Sequence, residues 1–127
     1  MQLWLLMQNC RLLKEIRQLE LLQMWGATCV LRENGLQAVE EFESSVPGTY
    51  DAILMDIQMP VMNGYEATRK IRSSSHPEAK TMVILAMTAN AFAEDVQKSI
   101  SAGMNGHVAK PVDMKILYNT LMALLDD

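Results

Sequence analysis

Asp56, Thr88 and Lys110 could cooperate in chemistry, and each falls directly after a short apolar run in the 127-residue sequence. The runs are Ala52-Ile53-Leu54-Met55, Thr81 to Met87, and Gly106-His107-Val108-Ala109. Apolar runs of this length, bounded by turn residues, fit strands; the first two read as buried on both faces. The strands of a parallel sheet end along one edge, and in open α/β folds ligands bind at that edge. A carboxylate, a hydroxyl and an ammonium gathered there suit one task. The carboxylate acts as nucleophile toward a phosphoryl group, while the ammonium neutralises phosphoryl oxygens and the hydroxyl hydrogen-bonds to another. Singly, each has a plainer reading: Asp56 as a turn residue ahead of Pro60, Thr88 as a strand end, Lys110 as a surface charge before Pro111. Their shared placement on three strand ends favours the site.

The elements that must position these residues can be read along the chain. Residues 3–7 (Leu-Trp-Leu-Leu-Met) form a first strand, weakly signalled because no residue is β-branched. Leu12, Leu13, Ile16, Leu19 and Leu22 recur at helical spacing from about Arg11 to Trp25, with Gly26 as a stop. A rival reading joins residues 3–25 into one helix with a pairing surface, since Leu5, Leu12 and Leu19 are seven apart. Thr28 to Leu31 is a second strand, and Asn34 with Gln37 opens a helix to Phe42 through a capping box. Pro47-Gly48 marks a loop. Asn63 and Glu66 open a further helix to about Arg72, which the Ser73 to Pro77 segment ends, leaving His76 in solvent. A helix from Asn90 to Ala102 stops at Gly103, and Asp113 caps a closing helix to Leu125. Ile116, Leu117, Thr120, Leu121 and Leu124 form the inner side of that last helix. Five strand–helix alternations with short connections imply a parallel sheet with helices on both faces, joined by right-handed crossovers.

Composition narrows the function classes. The length suits one domain, residues 1–127, with a single core. Half the residues are hydrophobic and a fifth charged, which excludes a disordered chain. The net charge of −4 argues against nucleic acid as a partner. Cys10 and Cys29 lack zinc-site spacing and a disulfide framework, so the cytoplasm is the expected location. The eleven methionines fit core gap-filling, with a Met-rich binding surface as the alternative. No apolar run is long enough to span a membrane, and the apolar start lacks the features of a signal peptide.

Residues 50–125 resemble the receiver domain of two-component response regulators, especially receivers attached to hybrid sensor histidine kinases. The resemblance rests on Asp56-Ile57-Gln58-Met59-Pro60-Val61-Met62-Asn63-Gly64, Met87-Thr88-Ala89-Asn90-Ala91 and Gly103 to Pro111. Gly26-Ala27-Thr28 and Glu33 to Glu40 also fit, so it extends over about four-fifths of the chain. It implies a doubly wound five-stranded parallel α/β sheet of flavodoxin-like (βα)5 type, with strand order 2-1-3-4-5. It also implies that Asp56 is phosphorylated, that Thr88 is the switch hydroxyl and Lys110 the phosphate-pairing lysine, and that the bond before Pro111 is cis. His107 occupies the aromatic switch position, against the plainer reading of a half-exposed histidine. The implied cofactor is Mg²⁺, held by Asp56, the Gln58 carbonyl and one acid of a pair after the first strand. The implied partner is a histidine kinase or a histidine phosphotransfer domain.

One part of the pattern is missing. Counting back from Gly26 places the family's acidic pair at Asn9 and Cys10, and neither is acidic. Mg²⁺ prefers oxygen ligands, usually carboxylates, water and phosphate. Asn9 can offer an amide oxygen, whereas the Cys10 thiol is a poor ligand for a hard cation. Residues 1–25 are thus the divergent part, read as a degenerate receiver, a swapped or rebuilt first strand, or a sequence error. A first strand that fails would leave the sheet's middle to a second copy, giving a domain-swapped homodimer. The expected function is phosphoryl acceptance from phosphohistidine onto Asp56. The alternative is a pseudo-receiver that binds partners without phosphorylation. The domain itself is a phosphoacceptor rather than a true enzyme, and is either a single-domain regulator or a piece of a hybrid kinase.

Overall fold

The structure, a computed structural model, describes residues 3–8, 27–32, 34–57, 62–88, 93–109 and 113–125. Strands and helices alternate through them: β1 (Leu3–Gln8), β2 (Ala27–Arg32), α1 (Gly35–Ser44), β3 (Ala52–Asp56), α2 (Gly64–Ser73), β4 (Val83–Thr88), α3 (Ala93–Ala102), β5 (Gly106–Ala109) and α4 (Met114–Leu125). All strand pairings are parallel, in the order β2-β1-β3-β4-β5. This is the doubly wound order expected from the sequence. Despite lacking β-branched residues, β1 takes the central place, pairing Leu3–Gln8 with Ala27–Arg32 on one side and Leu5–Met7 with Ala52–Leu54 on the other. The single helix over 3–25 is therefore overturned at residues 3–8, while the helix expected over 11–25 lies outside the described residues.

The caps act as their residue types dictate. Asn34 and Asn63 stand in extended backbone, and their side-chain oxygens accept from the Gln37 and Glu66 N–H groups, each at 2.9 Å. Asp113 Oδ1 likewise accepts from the Lys115 and Ile116 amides at 2.9 and 3.2 Å. These bonds satisfy donors that a helix start leaves without intrahelical partners. At the other end of α3, the Gly103 N–H donates to Ile100 and the Met104 N–H to Ser99, both at 3.0 Å. That pair of bonds is a Schellman closure, and it requires the positive φ of Gly103, 103°.

The two faces of the sheet are separately filled. Ile53, Met55, Ile84 and Ala86 join Val39, Phe42, Ala67, Ile71, Met82 and Met104 in the core beneath α1 and α2. Leu54 and Leu85 alternate to the opposite face, consistent with the two-residue period of a strand. There α4 supplies the buried Leu117 and Leu121. Of the inner side expected for α4, Ile116 is the exception at 55% exposure. The core line of the helix runs through 117 and 121, and Ile116 lies one residue, about 100°, away. Among methionines whose side chains are described, Met55, Met82, Met87 and Met104 are buried and Met62 and Met122 half-buried, in keeping with gap-filling.

Two further departures come from long-range contacts. β4 begins at Val83 rather than Thr81, because the Thr81 and Met82 N–H groups both close a turn onto the Glu78 carbonyl. His76, expected in solvent, is buried against Phe42, with ring centroids 4.3 Å apart. Its Nδ1 accepts from the Glu78 N–H at 3.0 Å, so Nε2 carries the proton and donates to the Ser45 carbonyl at 2.9 Å. With both ring nitrogens partnered, a neutral imidazole can be buried at little cost.

Polar ties join the remaining elements. Glu41 accepts from the Tyr50 hydroxyl at 2.7 Å and pairs with Arg32, which links α1 to β2 and to the loop before β3. The Tyr50 bond, followed by Arg32, holds the Glu41 carboxyl below its usual range against some burial. Burial, then the Glu41 carboxylate, pushes the Tyr50 hydroxyl well above its ordinary value. Arg72 reaches further. Its Nε and one terminal nitrogen donate to the Gly103 carbonyl at 2.9 and 2.7 Å, and its other terminal nitrogen donates to the Ala79 carbonyl at 3.1 Å. The guanidinium also meets Asn105 Oδ1 at 2.8 Å, and that oxygen accepts from the Ile84 N–H at 2.9 Å. Burial lowers the Arg72 pKa from its usual value.

Candidate functional site

The carboxyl edge of the sheet is built from the ends of β3, β4 and β5. Asp56 is the last residue of β3 and is 1% exposed; Thr88 is the last residue of β4 and is 5% exposed. Asp56 is in register with Met87, and Thr88 with Ala109. With strands about 4.8 Å apart, the two buried polar residues end adjacent strands at nearly the same level. Both engage in interactions within the fold. Lys110 follows Ala109 directly, but it lies outside the described residues, as do Pro111, Gln58, Asn9 and Cys10. The structure therefore brings together two of the three residues expected at the edge, together with the strand end that delivers the third. His107 is exposed on β5, beside a groove also lined by Asn119, Thr120, Ala123 and Leu124 of α4.

The described residues on either side of the turn after Asp56 lie close to the strand. The Ile57 N–H donates to the Met87 carbonyl at 3.1 Å, and the Gly64 N–H donates to the Ile57 carbonyl at 3.0 Å. A Cβ on Gly64 would lie 2.5 Å from the Asp56 carbonyl oxygen and 2.9 Å from Ile57 Cα. No side chain fits there, so a glycine at this position lets α2 start directly on the strand that carries the carboxylate. Thr68 reinforces the start, its hydroxyl donating to the Gly64 carbonyl at 2.8 Å. The sequence marked Asn63 as the cap of a helix, and nothing local to Gly64 reveals its contact with Asp56.

The donors for a cation at this edge can be judged by type. Among the described residues no cluster of three or more His, Cys, Asp or Glu side chains is arranged to hold a metal ion. Asp56 supplies one buried carboxylate, and the residues that follow β1 directly, Asn9 and Cys10, add none. One carboxylate with carbonyl or amide oxygens meets only the lower bound of what Mg²⁺ uses, which is one or two carboxylates plus phosphate and water.

A doubly wound sheet with a buried aspartate and a threonine on neighbouring strand ends presents polar groups at the edge where open α/β folds bind ligands. The chain belongs to the response regulator receiver domain family, whose model matches residues 9–122. It is similar to probable histidine kinase 2 of Oryza sativa, 38% identical over an alignment of 122 residues that covers 87% of this chain and 12% of the kinase. It is also 37% identical over 103 residues to hybrid signal transduction histidine kinase I of Dictyostelium discoideum, covering 80% of this chain and 6% of that protein. The chain thus spans a small fraction of the curated relatives it matches. Among solved structures, the receiver domain of sensor histidine kinase PA1611 from Pseudomonas aeruginosa superposes with TM-score 0.85 at 32% identity, each chain fully covered. That domain has a magnesium ion coordinated in its active-site cleft. The receiver domain of Ssk1, solved with the Saccharomyces cerevisiae histidine phosphotransfer protein Ypd1, gives TM-score 0.80 at 25% identity, covering 95% of this chain and 87% of that one. No helix among the described residues is long and apolar enough to cross a membrane.

Proposed function

We propose that this domain is the phosphoacceptor of a two-component phosphorelay and that Asp56 is the residue modified. The observation that carries the reading is a carboxylate buried at the end of β3 with the Thr88 hydroxyl on the neighbouring strand end. An Asp56 carboxylate oxygen attacks the phosphorus of a phosphohistidine. The phosphorus–nitrogen bond breaks, the imidazole leaves with the electron pair and takes up a proton, and an acyl phosphate remains on Asp56. Lys110 neutralises phosphoryl oxygens, and Thr88 donates a hydrogen bond to one of them. Thr88 and His107 then pass the change to the face formed by β5 and its flanking helices. The donor is a histidine kinase or a histidine phosphotransfer domain, and the kinases matched above support a receiver module within a hybrid kinase.

The group that would assist is Mg²⁺, held by Asp56, the Gln58 carbonyl and the Asn9 amide oxygen; when bound, it offsets phosphoryl charge. Without the acidic pair its affinity is expected to fall. A second reading follows from Asn9 and Cys10: a pseudo-receiver that binds partners through the same face without phosphorylation.

One experiment separates the two. The protein is incubated with acetyl phosphate and Mg²⁺ and followed by intact mass, beside Asp56→Asn and the double variant Asn9→Asp, Cys10→Asp. Phosphoacceptor function predicts a one-phosphoryl mass gain that Asp56→Asn abolishes. It also predicts that the double variant reaches the same labelling at much lower Mg²⁺. No labelling of the natural sequence at saturating Mg²⁺ rejects active transfer and leaves the interaction module.

A further inference from the structure

The Arg72 guanidinium is partly buried and makes four hydrogen bonds, all to neutral acceptors. Two go to the Gly103 carbonyl, immediately past the end of α3, where helix carbonyls lack intrahelical partners and the dipole favours a cation. The aliphatic stem lies where a Gly103 side chain would be, with Arg72 Cγ 3.1 Å from the position of a Cβ there. Asn105 extends the tie: its N–H donates to the Ile84 carbonyl at 2.8 Å, and its side-chain oxygen accepts from both Ile84 and Arg72. The C-terminal end of α3 is thereby bonded to α2 and to the start of β4. The other end of α3 begins five residues after Thr88. The outward surface of the described part of α3, Gln97, Lys98, Ile100 and Ser101, is exposed, whereas Ser99 and Ala102 are buried.

We infer that Arg72 makes the C-terminal end of α3 a fixed pivot, so that a change at Thr88 emerges as a swing of the N-terminal end of the helix. The inference rests on the phosphoacceptor reading for its natural trigger. The forked guanidinium suits the role because it holds one carbonyl through two bonds, which a lysine cannot do. The swing changes what α3 presents to a protein partner while Gly103, Met104 and Asn105 stay in place. Arg72 is thus a positioning residue on the edge opposite Asp56.

The test is amide hydrogen exchange on the full chain, with the carboxyl edge perturbed in two independent ways: acetyl phosphate with Mg²⁺, and Thr88→Val. Both are run with Arg72 present, with Arg72→Gln and with Arg72→Lys, the last retaining the charge should the glutamine variant fold poorly. With Arg72 present, exchange changes in the N-terminal half of α3 and stays constant at Gly103, Met104 and Asn105. Without the fork, those three amides exchange about tenfold faster at rest, and either perturbation now reaches them. A variant that is merely less stable would raise exchange without changing where the response to Thr88→Val falls. If Thr88→Val alters Gly103 to Asn105 equally with and without Arg72, the pivot is overturned. If only the acetyl phosphate arm is silent, the phosphoacceptor reading fails and the pivot stands on the Thr88→Val arm.

Discussion

Gly64→Ala should disable the edge that carries Asp56, and the contact distances set the size of the effect. The new methyl group would sit 2.5 Å from the Asp56 carbonyl oxygen, 2.9 Å from Ile57 Cα and 3.1 Å from the Asp56 carbonyl carbon. All three atoms are backbone, so no rotamer change relieves the clash and α2 must lift from β3. Overpacking of this kind costs about 1–3 kcal/mol. Lifting the helix also loses the 3.0 Å bond from the Gly64 N–H to the Ile57 carbonyl, worth about 1 kcal/mol. Alanine returns about 0.5 kcal/mol by restricting the unfolded chain, leaving a net loss of roughly 1.5–3.5 kcal/mol. In urea this lowers the unfolding midpoint by about 1–2 M with an unchanged slope. The control is Gly48→Ala. Gly48 has φ of 89° and nothing within 4 Å of a Cβ, so that variant incurs backbone strain alone, remote from Asp56. Acetyl phosphate labelling of Asp56 should fall in Gly64→Ala and persist in Gly48→Ala. A Gly64→Ala protein with a midpoint within about 0.3 M of the natural one, or with undiminished labelling, would refute the argument.

Three further variants probe the polar ties. Tyr50→Phe removes the bond to Glu41, and its effect should depend on pH. The Tyr50 hydroxyl is raised above its ordinary value of 10.0, so its contribution is complete below that pH and is lost as pH rises above it; chemical denaturation should show this alkaline loss only with the tyrosine present. The Glu41 carboxyl is lowered, chiefly by the Tyr50 bond; its stabilisation is present above the ordinary carboxylate range and lost on acidification, and Tyr50→Phe should shrink that acid loss as well. His76→Ala removes the ring from Phe42 together with both nitrogen bonds and should cost about 2–4 kcal/mol, whereas a surface histidine would cost almost nothing by thermal unfolding. His76→Phe should recover only the part due to the ring.

The sheet and most element limits could be read from local sequence because the determinants are local. β3 ends where its apolar run meets Asp56, β5 runs from Gly106 to Ala109, and Asn34, Asn63 and Asp113 cap the helices they precede. The placement of Asp56 and Thr88 was legible for the same reason: a strand end fixes where its last residue sits. What local reading missed is decided by distant residues. His76 stands in a serine-rich, proline-bounded segment, yet its partner Ser45 is 31 residues away. Arg72 resembles any basic residue in the last turn of a helix, and its acceptors Gly103 and Asn105 come 31 and 33 residues later. Ile116 is apolar and lies on the side of α4 turned away from the core line of Leu117 and Leu121, and no local pattern distinguishes it from Leu117.

The central place of β1 bears on where the domain can be cut. The family match begins at residue 9, directly after β1. In the described sheet β2 pairs only with β1, and β1 alone joins it to β3. A truncation at the matched boundary would therefore leave the edge strand with nothing to dock on and open both Ala27–Arg32 and Ala52–Leu54 to intermolecular pairing, the usual route to aggregation. A fragment meant to keep this sheet must therefore include Leu3–Gln8, and a graft or circular permutation of this receiver must carry residues 3–8 with it.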